Sequence, residues 1–124
     1  MRSQEDVVVL RQRVREQAVG LSFSLLDQTK FVTAASELGR NAVTYAGGGE
    51  AIIAPSRDGT RVGLSLTVTD HGPGIRNVDD AMRAGFTTGS GLGLGLSGTR
   101  RLVHEFELRS EVGHGTTVRI VRWK

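Results

Sequence analysis

The sequence predicts an α+β fold, a two-layer sandwich in which helices cover one face of a mixed, mostly antiparallel sheet. Two observations support this prediction. Apolar residues recur every three or four positions in the first 46 residues, and they alternate with polar residues in later segments. The helical segments are grouped and the extended segments come as hairpins, which is typical of α+β proteins.

Two long helices are expected first. One is predicted over 6–20, with Asp6 as its N-cap and Gly20 as its C-terminal stop. Its apolar positions lie three or four residues apart, at Val7, Leu10, Val14 and Ala18. The second helix is predicted over about 24–46 and ends before a run of three glycines.

The later elements are shorter. The segment 62–69 alternates with period two, which predicts a strand with one buried face. An Asp-Gly pair inside the segment 55–60 predicts a hairpin turn there. The other predicted elements are strands over 51–54, 106–110 and 116–123, a turn over 111–115, and helices over 77–84 and 96–105.

Composition narrows the class of protein. The 124 residues suit one domain spanning 1–124, no apolar run is long enough to cross a membrane, and the first ten residues lack a signal-peptide pattern. The absence of cysteine excludes disulfides, thiolate zinc sites and a cysteine nucleophile, and is compatible with a cytoplasmic location. The net charge of +3 comes from basic residues scattered among acidic ones, so the charge is only weakly informative about partners, and nucleic acid is not the expected one.

Glycine is enriched where chemistry is expected. Eight of the 17 glycines lie between Gly72 and Gly98, alternating with Leu, Ile and Phe rather than with Ser and Pro. This pattern predicts a segment that packs against the rest of the domain, not a flexible linker. Four short segments in and around it are the candidates for a functional site.

The first candidate is Glu37-Leu-Gly-Arg-Asn41, on the second predicted helix. Positions i and i+4 share one helical face, so this carboxylate and amide could hold a hard cation or pair a base with a metal ligand. An exposed polar stripe is the simpler interpretation of this pattern alone.

The second candidate, Asp70-His-Gly-Pro-Gly74, directly follows a predicted strand. An ionised carboxylate accepts hydrogen bonds only, so Asp70 suits the exocyclic amine of a ligand. Gly72 and Gly74 would let a flat ligand approach the backbone. An ordinary turn closed by an Asx-type hydrogen bond is equally compatible with these residues.

The last two candidates are a glycine repeat and a threonine pair. The repeat Gly89-Ser-Gly-Leu-Gly-Leu-Gly-Leu96 runs into a predicted helix, where free backbone N–H groups can bind an anion. It is neither a P-loop, since no Lys-Ser/Thr follows, nor a convincing dinucleotide fingerprint, since no strand precedes it. A packing loop is the alternative. Gly115-Thr116-Thr117-Val118 opens the last strand and could supplement Asp70, although the β-propensity of Thr also explains it.

Together, in this order, the four segments resemble the Bergerat-fold ATPases, the superfamily of gyrase, Hsp90, histidine kinases and MutL. ELGRN looks like the N box, DHGPGI like the first glycine box, GLGLGL like the second, and GTT like the adenine-contacting threonine motif. The resemblance covers about residues 7–124, nearly the whole chain, and implies the Bergerat ATP-binding fold.

Longer segments resemble the RsbT-type serine/threonine protein kinases, which are close to the RsbW and SpoIIAB anti-sigma kinases. The matching segments are LLDQTKFVTAASELGRNAVTYAGGG, DHGPGI, GFTTGSGLGLGLSGTRRLVHEFEL and GTTVRIVRWK. The start of the chain departs from the family, whose members usually begin with a strand. About five residues precede the first helix here, so that strand is expected to be short or absent.

The resemblance implies ATP and Mg²⁺ as cofactors and assigns a role to each matching residue. Asn41 would hold Mg²⁺, and Glu37 would orient or deprotonate the substrate hydroxyl. Asp70 would accept a hydrogen bond from the adenine amine, with Thr116 assisting. The remaining binding positions would be Gly72 and Gly74 beside the base and ribose, and Gly91, Leu92, Gly93, Leu94 and Gly95 around the phosphates, below a lid over 86–90.

The resemblance also implies protein partners. STAS-domain antagonist or scaffold proteins of bacterial stress signalling would be the substrates, and a PP2C-type phosphatase would be activated by binding. Homodimerisation is a further option, and no membrane contact is expected. Three alternatives stay open: an anti-sigma factor with serine kinase activity, a detached histidine-kinase catalytic domain, and a nucleic-acid-binding protein.

Overall fold

Two layers, one of helices and one of strands, form the fold in a computed structural model that describes residues 1–82 and 95–124. The helices are α1 (Gln4–Gly20), α2 (Leu25–Ala46), α3 (Val78–Ala81) and α4 (Leu96–Arg101), and the strands are β1 (Glu50–Asp58), β2 (Arg61–Asp70), β3 (Glu105–Glu111) and β4 (Gly115–Trp123). The strands form one sheet in the order β1-β2-β4-β3, and each neighbouring pair is antiparallel.

The hydrophobic core lies between α2 and one face of the sheet. α2 packs against β2 and β4, and α1 packs against α2. The core includes the fully buried side chains of Phe31, Leu64, Leu66 and Ile120. Burial of such a side chain contributes roughly 2 kcal/mol, so this layer contact is a main source of stability. The predicted α+β sandwich is confirmed.

α1 begins earlier than predicted. Its N-cap is Ser3, whose hydroxyl accepts the N–H of Asp6, while the Asp6 carboxylate accepts the N–H groups of Ser3 and Arg2 at 3.2 and 2.8 Å. These backbone donors lower the pKa of Asp6. Asp6 is therefore the N3 residue of a capping box, and its prediction as the N-cap was wrong. The apolar spacing could not show this, because the residues between 3 and 6 are polar.

α2 has the bounds that the sequence predicted. The Ser24 side chain accepts the N–H of Asp27 at the first turn, and Gly47 closes the helix in the left-handed conformation with φ of 74°. Although α2 has 22 residues, neither it nor any other helix within 1–82 and 95–124 is long and apolar enough to cross a membrane.

The first hairpin is longer than predicted. β1 continues to Asp58 and pairs with Arg61 of β2, so the turn contains Gly59 and Thr60 instead of the whole segment 55–60. Pro55 lies inside β1, pairing with Leu64. A proline is tolerated there because β1 is at the edge of the sheet, where one side of the strand needs no N–H donor.

α4 is shorter than predicted. It ends at Arg101 instead of 105, and β3 begins at Glu105. The N–H of His104 donates to the carbonyl of Val121 at 2.9 Å. The chain therefore pairs with β4 from residue 104 on, within the range predicted to be helical. α3 spans four residues, and the part of its predicted range after residue 82 lies outside the described residues.

No strand precedes α1 in the described part of the chain, as expected, but Met1 has a strand-like partner. Its terminal amine donates to the carbonyl of Gly49 at 2.8 Å, and its carbonyl accepts the N–H of Gly49 at 2.9 Å. Exchange of both hydrogen bonds is the pattern of one antiparallel residue pair. It fixes the start of the chain next to β1.

A partly buried ion pair ties α2 to β4. Arg122 donates to Oδ1 of Asp27 through Nε at 3.1 Å and Nη2 at 2.6 Å, and through Nη1 to the carbonyl of Leu102 at 2.9 Å. The side chains of Arg122 and Asp27 are 10% and 23% exposed. Removing one partner of such a pair leaves the other charge uncompensated, which costs about 3 kcal/mol.

We therefore expect that protonation of Asp27 at low pH lowers the free energy of unfolding. Hydrogen bonds from Arg122 lower the pKa of Asp27 below its usual 3.8. The unfolded chain takes up this proton first, so the contribution is present above the unfolded pKa and is lost as the pH falls through the folded pKa. Urea unfolding of Asp27→Asn at neutral pH should show a loss of about 3 kcal/mol and a smaller further loss in acid than the unaltered protein.

Asp58→Asn is the matched control for this prediction. Asp58 also pairs with an arginine, Arg61, but both side chains are more than half exposed, so the pair contributes little. If the unaltered protein and Asp27→Asn lost the same free energy of unfolding in acid, the Asp27–Arg122 pair would not be the cause of the acid sensitivity.

Candidate nucleotide site

A cavity of about 450 Å³ lies between α2 and the ends of β2 and β4. Of the predicted site residues that the structure describes, four line it: Asn41, Asp70, Gly74 and Thr116. Its other walls are largely apolar and include Leu38, Ala42, Tyr45, Ala46, Val68, Ile75, Leu96, Val112 and Val118. An apolar cavity with a few convergent polar groups is the usual form of a small-molecule site.

Asp70 is held in the cavity wall by two backbone hydrogen bonds. It ends β2, and its Oδ1 accepts the backbone N–H groups of Gly72 at 3.0 Å and Thr116 at 3.2 Å. No group in 1–82 or 95–124 donates to Oδ2. One carboxylate oxygen thus orients the side chain, and the other is an acceptor that no described residue uses.

The two glycines after Asp70 have different surroundings. Gly74 lines the cavity with φ of 77°, and a Cβ there would collide with the carbonyl oxygen of Glu111. Gly72 is not part of the cavity wall, and a Cβ added to it would lie 2.5 Å from the Cβ of Ala46 on α2. Gly72 thus allows close packing of the loop on α2, and its expected contact with the base stays a prediction.

Glu37 and Asn41 lie one helical turn apart on α2 but have different neighbours. Asn41 lines the cavity, whereas Glu37 is 31% exposed and its Oε1 accepts a hydrogen bond from Arg40 at 2.9 Å. A Cβ added to Gly95 would lie 2.7 Å from Oε2 of Glu37. The structure therefore brings Glu37 to the residue that ends the predicted phosphate-binding segment.

Only the end of that segment is among the described residues. Gly91, Leu92, Gly93 and Leu94 lie outside the described residues, as does the predicted lid over 86–90. Gly95 is described and takes the left-handed conformation with φ of 65°, directly before α4.

Several residues around the cavity were not predicted. Arg76 and Asn77 line it, and Ser110 of β3 contacts Thr116 from behind. Arg76 and Asn77 follow the DHGPGI segment directly, so their position in the chain was a usable signal. Ser110 could be found only from the pairing of β3 with β4, in which it lies opposite Thr116.

Known proteins are similar to this chain in sequence and in fold. Residues 26–124 match the family of histidine kinase-, DNA gyrase B-, and HSP90-like ATPases. The serine/threonine-protein kinase RsbT of Bacillus subtilis is 42% identical over 118 residues, which cover 95% of this chain and 89% of that protein. The anti-sigma F factor of Bacillus cytotoxicus is 32% identical over 100 residues, covering 77% of this chain and 68% of that protein.

A solved structure agrees with the fold. The catalytic domain of the histidine kinase ThkA, in a nucleotide-free form, has a TM-score of 0.54 and 25% identity, covering 78% of this chain and 69% of that one. The resemblance that the four motifs indicated is thereby confirmed. The chain belongs to the histidine kinase-, DNA gyrase B-, and HSP90-like ATPase family and, within it, to the serine/threonine-protein kinases of the RsbT type.

Proposed function

We propose that this kinase transfers the γ-phosphoryl group of Mg·ATP to a serine or threonine of a STAS-domain protein, and that it activates a PP2C-type phosphatase by binding to it. The observation that supports the nucleotide part is the position of Asp70 on the wall of an apolar cavity: two backbone N–H groups hold its Oδ1, and none of the described residues donates to its Oδ2. A flat base with an exocyclic amine, such as adenine, fits that combination of walls and acceptor.

The residues present also fit a magnesium ion shared with the nucleotide. Among the described residues, no group of three His, Cys, Asp or Glu side chains could hold a metal alone. Mg²⁺ is usually bound through one or two protein oxygens together with substrate phosphates, and the amide of Asn41 on the cavity wall would be such a ligand. When bound, the ion neutralises charge that develops on the phosphates.

Besides nucleotide and metal binding, the reaction requires that the acceptor hydroxyl is positioned. Phosphoryl transfer requires little covalent chemistry from the protein, so a carboxylate that orients or deprotonates the attacking hydroxyl is sufficient. Glu37 is suited to this role because it lies beside Gly95. Gly95 ends the segment whose backbone, with Gly91 and Gly93, is proposed to surround the phosphates. Glu37 does not belong to the wall that would hold the base.

The protein partners follow from similarity rather than from the geometry of the site. The RsbT relative matches nearly the full chain, which supports a switch kinase acting in the cytoplasm on STAS-domain proteins. Similarity to anti-sigma F factors favours a second candidate, an anti-sigma factor that also phosphorylates a serine. The two candidates share the nucleotide site and differ in the protein that they hold.

A pull-down from the lysate of the organism itself, with and without Mg·ATP, distinguishes the two candidates. We expect STAS-domain proteins to be released by Mg·ATP and to carry new phosphoserine or phosphothreonine, detected by mass spectrometry. The variant Asp70→Ala should retain these proteins and leave them unphosphorylated. Recovery of a sigma factor would support the anti-sigma candidate, and a complex insensitive to Mg·ATP would contradict both.

A further inference from the structure

The short helix α4 adjoins the carboxylate that is proposed to act on the acceptor hydroxyl. It begins at Leu96, directly after Gly95, and a Cβ added to Gly95 would lie 2.7 Å from Oε2 of Glu37. The helix has six residues and is therefore about 9 Å long. A protein that brings a hydroxyl group to Glu37 therefore comes close to α4.

Packing determines which side of α4 faces outward. The helix packs on α2, and the side chains of Leu96 and Thr99 are buried in that contact region at 3% and 1% exposure. Gly98, Arg100 and Arg101 are exposed. At 3.6 residues per turn, Gly98 and Arg101 lie on the side of the helix opposite Leu96. These three residues are called the α4 surface below.

Gly98 has no role that the described part of the chain explains. Its φ is not in the left-handed region, and no atom of a described residue lies within 4 Å of a Cβ added to it. A glycine inside a helix destabilises that helix relative to alanine. What Gly98 does provide is a position where the backbone of another molecule can approach α4 without meeting a side chain.

The two arginines give the α4 surface a positive charge, since α4 contains no acidic residue. Within 1–82 and 95–124, neither guanidinium group has an ion pair or a hydrogen bond. Neither arginine belongs to the described wall of the nucleotide cavity. Two cations that are not neutralised within the described chain, next to a site that receives another protein, favour acidic side chains on that protein.

We propose that the α4 surface, formed by Gly98, Arg100 and Arg101, is the docking surface for the substrate protein, and that this protein carries acidic side chains beside its phosphorylated serine or threonine. The inference rests on the proposed function and deepens it. The glycine admits the substrate backbone, and the arginines pair with the acidic side chains. Docking there would hold the acceptor hydroxyl near Glu37.

The first test measures phosphorylation of the substrate protein identified by pull-down, at increasing concentrations of that protein and saturating Mg·ATP. The double variant Arg100→Glu/Arg101→Glu should raise the KM for the protein about tenfold and leave kcat and the Kd for ADP within about twofold. Added NaCl should raise the KM of the unaltered protein and have little effect on that of the variant. Arg57→Glu is the matched control, because Arg57 is an exposed arginine on the edge strand β1.

The second test uses the glycine and does not depend on charge. Gly98→Gln should raise the Tm, because glutamine favours a helix more than glycine does, and should raise the KM for the substrate protein about tenfold through a clash with its backbone. Gly98→Ala is the matched variant, with a similar gain in Tm and a smaller effect on KM. A loss of docking that accompanies a gain in stability cannot come from misfolding.

The outcomes separate this inference from the function on which it rests. If KM changed by less than about twofold in the double variant and in Gly98→Gln, the docking surface would be overturned while the kinase activity stood. A lower Tm with unchanged KM in the double variant would mean that the arginines only stabilise the end of α4. A weaker ADP affinity in Gly98→Gln would assign the glycine to the nucleotide site instead. Absence of phosphorylation by the unaltered protein would overturn the proposed function and this inference together.

Discussion

Replacing Asp70 by asparagine is expected to weaken ADP binding about 100-fold and to leave the fold intact. Oδ1 of Asp70 accepts two backbone N–H groups, from Gly72 and Thr116. An asparagine has one oxygen and one NH₂ group. Its oxygen can satisfy the two backbone donors only when the NH₂ group points toward the ligand, where it meets the adenine amine donor against donor. Either orientation of the amide thus loses a hydrogen bond that the carboxylate makes.

Calorimetric titration with ADP and thermal unfolding of the same samples check this prediction. Asp58→Asn is the control, because Asp58 is an exposed carboxylate at the first hairpin, far along β1 from the cavity. It should bind ADP like the unaltered protein. If Asp70→Asn bound ADP within about threefold of the unaltered protein, Asp70 would not be the group that reads the base.

Local chemistry explains which parts of the fold were predictable. The bounds of α2 follow from a serine cap at Ser24 and a glycine stop at Gly47, both visible in the sequence. The errors arose where an element depends on a distant partner. Pro55 by itself indicates a turn, and its place inside a strand is explained only by the position of β1 at the edge of the sheet. The helix from Leu96 was predicted too long because the hydrogen bond from His104 to β4 joins residues far apart in the sequence.

The candidate site shows the same division. Its motifs were recognisable from their order along the chain, and the cavity brings Asn41, Asp70, Gly74 and Thr116 together. What spacing could not predict is how each residue is supported. The contact of Gly72 with Ala46 depends on how a loop packs on α2. The hydroxyl pair of Ser110 and Thr116 depends on strand register, which a single sequence does not specify.

Glu37→Gln is expected to lower the rate of phosphoryl transfer by roughly 100- to 10,000-fold and to leave ADP affinity within about threefold. Glutamine has the same shape and can still accept the hydrogen bond from Arg40, but it cannot take up the proton of the substrate hydroxyl. ADP affinity is preserved because Glu37 is not part of the cavity wall that holds Asp70 and Thr116. Transfer of ³²P from ATP to the substrate protein identified by pull-down measures the rate, and calorimetry measures the affinity.

Arg40→Gln separates proton transfer from the loss of the ion pair. Arg40 and Glu37 form an exposed pair on one helix face, with Arg40 59% exposed, and such a pair contributes little. This variant should keep its activity within about threefold. A tenfold or smaller loss in Glu37→Gln would mean that the carboxylate only orients the hydroxyl.

The position of Glu37 explains why a large effect on rate can accompany a small effect on binding. The absence of a side chain at Gly95 lets the Glu37 carboxylate approach the backbone at the end of the glycine repeat. A base placed there would act at the phosphoryl end of ATP, about one helical turn from Asn41 and away from the adenine end. Only interactions made at the reacting atoms change the rate without changing ground-state affinity, so kcat should report on Glu37 and the dissociation constant on Asp70.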